Sequence, residues 1–175
     1  YNKVKNHDKI DRTIVATCDS EIEAFIKSIG GEVVMTSKDH DRASDRCSEA
    51  LDIVEKKLKL KYDIVLMIQG DEPLINSKMI NDALNPMLLN SEINVLNLKS
   101  QIKSLSEFND PNCIKVVSDK KNNAVYFSRQ SIPTNKKFKG KMYKQVCVIP
   151  FKRDFLKKYN QMEPTELEIL ESIDM

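Results

Sequence analysis

Short runs of apolar, β-branched residues alternate along the chain with longer stretches in which apolar positions recur every three or four residues. Thr13-Ile14-Val15-Ala16-Thr17 is the first such run, and Asp19 or Ser20 after it can cap a helix. In that helix Ile22, Phe25, Ile26 and Ile29 form the repeating stripe that faces a core. Gly30-Gly31 supplies a left-handed stop, and Glu32 to Thr36 resumes strand. The pattern then repeats. Cys47, Ala50, Leu51, Val54 and Leu58 mark one face of a second helix, ahead of the continuous apolar run Ile64-Val65-Leu66-Met67-Ile68, which predicts a strand buried on both faces.

Strands alternating with amphipathic helices predict an α/β fold with a parallel sheet covered on both sides, because right-handed crossovers place helices on its faces. A helix from Ser77 to Leu89, limited or kinked by Pro86, and a strand around Asn94 to Leu98 continue the scheme. The rhythm then changes. Ile114 to Val117 and Ala124 to Phe127 flank the polar stretch Ser118 to Asn123, which suits an antiparallel hairpin. A strand at Gln145 to Ile149 and helices near Asp154 to Tyr159 and Thr165 to Ile173 complete the chain. No repeat, low-complexity segment or long linker divides it. One domain over 1–175 is expected, with the hairpin inserted around 112–134, and a chain of this length can bury a sufficient core without cross-links.

Charge narrows the partners. The 28 basic and 26 acidic residues nearly cancel, so neither nucleic acid nor a membrane surface is expected, and a small-molecule partner is. Lys136, Lys137, Lys139, Lys141 and Lys144 form the densest basic stretch and read as a solvated loop with no assigned role. Cys18, Cys47, Cys113 and Cys147 lack the paired spacing of a zinc site and read as reduced packing residues. No apolar run approaches the roughly 20 residues of a membrane span, and the start is not a signal peptide, so a cytoplasmic location is expected. The chain begins at Tyr1 and stops in a helical pattern at Met175, and both ends are expected to be missing.

Three segments can carry chemistry. In Gln69-Gly70-Asp71-Glu72-Pro73 a buried strand ends in a polar turn, at the strand end where open parallel sheets bind ligands. Gly70 lets a ligand approach the backbone, and Asp71 offers a hard oxygen to Mg²⁺, although an ordinary turn with a capping Asp has the same residues. Met35 to Arg46 follows a strand and opens a helix. Its hydroxyls, Arg42, Arg46 and the helix-start N–H groups suit an anion or the polar edge of a base, or else a capped helix with solvated charges. Third, Arg129 follows the aromatic strand Tyr126-Phe127-Ser128 and can present a planar fork to a carboxylate, or simply be an exposed strand-end arginine.

The wording and order of these segments decide between the alternatives. "IVAT.D..I", "GGEVVMTSKDHDRASDR", "IVLMIQGDEPLI", "DPNCIKVV", "AVYFSRQSIP" and a final "LE..ES" together resemble the 3-deoxy-manno-octulosonate (Kdo) cytidylyltransferase family from about Tyr1 to Met175. The resemblance implies a three-layer α/β/α, Rossmann-like sheet of the nucleotide-diphospho-sugar transferase type. It also implies a Mg²⁺-dependent enzyme that joins CTP to a keto-deoxy sugar acid for lipopolysaccharide or capsule synthesis, and a homodimer paired through the hairpin region. Asp71 then matches the metal-binding aspartate and Arg46 the arginine that helps hold the cytidine. Gln69 and Gly70 match positions lining the ribose and sugar site, and Arg129 matches the arginine for the sugar carboxylate.

Three departures qualify this. The family's opening strand with its phosphate loop falls before Tyr1, and a second metal-binding aspartate falls after Met175. Arg42 and Ala43 stand where the family has a small Ser-Gly pair. Gln145 and Ile149 stand where it has a sugar-contacting His and Tyr, and Asp174 and Met175 where it has Glu-Gln. These last four replacements fall on the sugar side, so a variant of Kdo, an amino-octulosonate or a nonulosonate is an alternative substrate. An inert nucleotide-binding fragment is the alternative from a different class.

Overall fold

Residues 1–134 and 140–174 are described in the structure, a computed structural model. In chain order the elements are α1 (Asn2–Lys5), β1 (Val15–Thr17), α2 (Ser20–Ser28), β2 (Val33–Met35), α3 (Ala43–Leu58), β3 (Ile64–Ile68), α4 (Ser77–Leu89), β4 (Leu98–Gln101), α5 (Leu105–Asn109), β5 (Lys115–Ser118), β6 (Ala124–Ser128), β7 (Tyr143–Val146), β8 (Val148–Lys152), α6 (Arg153–Tyr159) and α7 (Glu166–Glu171). They fall into two compact units, Tyr1–Leu96 with Val148–Glu163, and Asn97–Cys147 with Pro164–Met175.

The first unit opens with the expected β-α-β turn of chain. Asp19 caps α2 by accepting from the N–H groups of Glu21 and Ile22, and Gly30 takes a φ of +68° that an L side chain resists. Gly31 has a packing reason instead: a Cβ there would lie 2.7 Å from Ile26 Cγ2. β1 and β2 pair in parallel, Val15 opposite Val33 and Thr17 opposite Met35. The α2 stripe is narrower than expected, because Ile26 is buried while Ile22, Phe25 and Ile29 are exposed. α3 packs on β1, β2 and β3 and buries Ala50, Leu51 and Val54.

β3 departs from the expected parallel pairing. It lies antiparallel to β8, from Ile64 opposite Lys152 to Ile68 opposite Val148. Its apolar run is half-buried except at Met67, and the core gathers instead on β8, where α4 and α6 pack. Val148, Ile149, Phe151, Ile80, Ala83 and Leu156 are each at most 2% exposed. Asn76 caps α4, which continues through Pro86 to Leu89 rather than stopping there.

The second unit is an antiparallel sheet in the order β4-β7-β5-β6. The predicted hairpin is β5 and β6, with Val116 opposite Phe127 and a register shift between Val117 and Ser118. Asp119 organises its turn by accepting from the N–H groups of Lys121 and Asn123. A small core of Ile102, Phe108 and Met142 lies in this unit, with Cys113 packed against it, and burial pushes the Cys113 thiol pKa up. The single strand expected over Gln145 to Ile149 is two strands. β7 ladders onto β4 and β5, whereas β8 ladders onto β3, and the chain breaks at Cys147 to serve both. All four cysteines are free thiols. No helix among the described residues is long and apolar enough to cross a membrane.

Candidate functional site

In the first unit the chain leaves β3 through a tight turn, in which Glu72 N–H donates to Gln69 O at 3.2 Å and Ile75 N–H to Glu72 O at 3.2 Å. Lys3 ties the far side by donating to Pro73 O at 2.7 Å. The turn leaves Gly70 and Asp71 exposed. A Cβ added to Gly70 would meet nothing within 4 Å, so the backbone there has open space for a ligand. Asp71 presents its carboxylate at the carboxyl end of the strand, as expected.

The segment after β2 is held by a residue that no motif in the sequence singles out. Glu49, on α3, accepts from Ser37 N–H at 2.8 Å, and its Oε2 lies 2.5 Å from His40 Nε2. The Ser37 N–H and then His40 hold the Glu49 carboxyl below its ordinary value. The only forewarning was its place one helical turn after Arg46. Within the loop, Ser37 Oγ donates to Asp39 at 3.0 Å.

The two arginines of this segment part company. Arg42 forks onto Asp45 through Nε and Nη2, at 3.0 and 2.9 Å, and lies over the Tyr159 ring at 5.3 Å. Burial alone would raise the Asp45 carboxyl, but the Arg42 bonds and charge and the Asn160 amide outweigh it and lower the pKa. Arg46 is aimed by neutral acceptors, donating through Nη1 to Thr36 Oγ1 at 2.6 Å and Ser37 O at 3.1 Å. Of the pair, Arg46 therefore has a cationic charge directed by groups that do not neutralise it.

In the second unit Arg129 is more constrained than a strand-end arginine open to solvent. Its Nε donates to Glu171 O at 2.6 Å, Nη2 to Ser172 O at 2.9 Å and Nη1 to Pro111 O at 3.2 Å. The first two acceptors are carbonyls at the end of α7, so the guanidinium caps the negative pole of that helix. Gln145 donates through Nε2 to Asn97 Oδ1 at 2.7 Å, and Asn97 in turn donates to Leu98 O and Val146 O. Asp174 is half-buried, just beyond the left-handed exit of α7 at Ser172.

Not every sequence candidate meets this picture. Ile149, in the first unit, is 1% exposed and pairs with Met67 across the β3–β8 ladder, so the expectation that it faces a sugar is corrected: its side chain is core. Met175 lies outside the described residues, as do Lys136, Lys137 and Lys139. Among the described residues no group of three or more His, Cys, Asp or Glu is placed to hold a metal ion. A lone Asp71 on an open turn fits the way Mg²⁺ is bound through one or two carboxylates plus substrate phosphates, rather than an all-protein cage.

Comparison with known proteins bears on the chain as a whole. The family described as cytidylyltransferase matches residues 1–174. The chain is 34% identical to the 3-deoxy-manno-octulosonate cytidylyltransferase of Geobacter metallireducens, over 99% of this chain and 71% of that protein. It is 37% identical to the protein of the same name from Fusobacterium nucleatum, over 99% of this chain and 69% of the relative. A solved structure of CMP:2-keto-3-deoxy-manno-octonic acid synthetase complexed with CTP superposes with a TM-score of 0.86 at 30% identity, covering 99% of this chain and 69% of that one. The α/β fold class expected from the sequence is the one these likenesses share.

Proposed function

The chain belongs to the cytidylyltransferase family, and on that premise we propose that it joins CTP to 3-deoxy-manno-octulosonate, giving the CMP-sugar and pyrophosphate for a surface polysaccharide. The observation that supports this most is the exposed Gly70-Asp71 turn at the end of β3, open on the Gly70 side. In the reaction the C2 hydroxyl oxygen of the sugar attacks the α-phosphorus, a P–O bond forms, and the bond to the β-phosphate breaks as pyrophosphate leaves. The hydroxyl proton passes to solvent. Such a displacement depends on positioning and charge neutralisation more than on a covalent enzyme step.

Asp71 would hold Mg²⁺, which supplies charge neutralisation to the phosphates. Gln69 and Gly70 bring backbone and amide groups beside the same turn, and Arg46, aimed by the Thr36 hydroxyl and the Ser37 carbonyl, binds the nucleotide. Arg129 has two N–H groups beyond the three bonded to carbonyls, enough for a carboxylate of the sugar acid. Gln145, Asp174 and Met175 are read toward the sugar. The replacements at these positions favour a second reading, in which the acid is a congener of Kdo. We place the enzyme in the cytoplasm as a homodimer.

The test is pyrophosphate release from the purified protein with CTP, Mg²⁺ and a panel of ulosonic acids. Turnover ranked by sugar identifies the substrate. Binding of CTP without turnover on any of them would support the inert nucleotide-binding module instead.

A further inference from the structure

Arg129 is gripped on both sides of its own backbone. Its N–H donates to Glu171 Oε2 at 2.8 Å, and its carbonyl accepts from Lys115 Nζ at 2.5 Å. A carboxylate and an ammonium therefore flank the two peptide groups of one residue. The ammonium is no surface charge that happens to reach inward, and the half-buried carboxylate is held by a full set of donors. Lys115 is 0% exposed, and its ammonium directs its three donors to three carbonyls: Arg129, Cys113 at 2.6 Å and Asp110 at 2.8 Å. Glu171 is equally committed, since Oε1 accepts from Tyr126 Oη at 2.7 Å and Ser128 Oγ at 2.6 Å while Oε2 takes the Arg129 N–H.

A charged group kept out of water is disfavoured unless it is fully bonded, and an apolar side chain of similar volume would fill the same space without that penalty. The lysine is thus a poor choice for stability alone, and the glutamate, only half-buried, fills no core. What they supply is direction, because bonds to charged partners are short and geometrically demanding. Both converge on the residue whose guanidinium is read as the sugar-carboxylate ligand.

We propose that Lys115 and Glu171 are positioning residues that set the backbone of Arg129, and through it the direction of its guanidinium toward a carboxylate substrate. The proposal rests on the Arg129 reading given above. Burial lowers the Lys115 pKa, and the Ser128 hydroxyl, the Arg129 N–H and the Tyr126 hydroxyl lower that of Glu171. The glutamate is therefore held as the anion that the three donors require.

Lys115→Met and Glu171→Gln are compared with Arg129→Ala by steady-state kinetics, varying CTP and Kdo separately, with thermal midpoints recorded for each. Both positioning variants are expected to raise KM for the sugar about tenfold and to leave KM for CTP within about twofold. If Arg129→Ala raises the sugar KM but Lys115→Met and Glu171→Gln do not, the positioning role is wrong and the Arg129 reading stands. If Arg129→Ala leaves the sugar KM unmoved, both are wrong. Equal losses toward both substrates would show a purely structural part for the pair and overturn the proposal. Should Lys115→Met fail to fold, Tyr126→Phe and Ser128→Ala each remove one donor from Glu171; a sugar KM raised by about threefold in each supports the positioning role, and an unchanged one overturns it.

Discussion

Phe108→Ala probes the small core of the second unit. The ring is 0% exposed, and its neighbours Ile102 and Met142 are 3% and 4% exposed, so the whole side chain leaves a filled site. Truncations of buried aromatics to Ala cost about 3–5 kcal/mol, from lost transfer energy plus the cavity left behind. Met142 is unbranched and can shift into part of the space, which places the expected loss near the lower figure, about 3 kcal/mol. For a chain of this length that lowers the thermal midpoint by about 6–12 °C. If the second unit melts by itself, the loss falls on a domain of smaller size and the shift is about 12–24 °C. Circular dichroism melts and calorimetry read both outcomes, since separate melting adds an early transition. Leu105→Ala, at a position 50% exposed on the same helix, is the control and is expected to shift little. A Phe108→Ala loss under about 1 kcal/mol would refute the assignment of this cluster as the unit's core.

Asp71→Asn is expected to abolish Mg²⁺-dependent pyrophosphate release with an unchanged melting curve, because the exposed carboxylate contributes nothing to the core; near-normal turnover would remove it from the mechanism. Arg46→Ala is expected to weaken CTP binding at least tenfold, about 1.4 kcal/mol, with smaller change toward the sugar, as titration calorimetry would measure. β6 ends the order β4-β7-β5-β6 and carries Val125 at 67% exposure, an edge that calls for cover. Light scattering is therefore expected to give a dimer at micromolar concentration, and a monomer would count against pairing through this hairpin.

What could be read from the sequence was local. Asp19 before an amphipathic run, Gly30 after it, and a polar stretch between two β-branched runs each name a conformation with few competitors, and α2, β2 and the β5–β6 hairpin formed where those signals lie. Long-range pairing had no such signal. Nothing near Ile64 to Ile68 says that its partner is β8, and an apolar run reads alike in a parallel or an antiparallel ladder. Periodicity also overstated the buried face of α2, since Phe25 fits the stripe yet is 61% exposed. At the candidate site, the junction positions of Asp71 and Arg46 alone left an ordinary turn and a capped helix open, and only the likeness of their segments to the family gave them roles. Glu49, Lys115 and Glu171 act on residues up to tens of positions away, which no spacing reveals. One clue was present: Lys115 interrupts the apolar strand Ile114 to Val117, and a lysine inside such a strand needs an internal set of acceptors.

The same network makes the end of α7 sensitive to acid. None of its residues is buried, and Leu167, Ile169 and Leu170 are exposed, so apolar contact does little to hold the helix body. Its terminus is held instead by the Glu171 carboxylate, facing Tyr126, Ser128 and Arg129, and by the Arg129 guanidinium on the last carbonyls. The Glu171 carboxyl is held below the ordinary glutamate value of about 4.3. Because the folded pKa is the lower one, its stabilisation is fully present above the unfolded value and disappears as pH falls through the folded value. Protonation removes acceptor capacity from a site of three donors and leaves the Arg129 N–H with a weaker partner. The protection of the α7 amides, measured relative to intrinsic exchange at each pH, is therefore expected to fall below about pH 4 before that of the β3–β8 ladder, with Glu171→Gln already less protected than the unmodified protein at pH 7. Loss of protection in α7 and in the ladder at the same pH would mean that the helix is held by something other than this carboxylate.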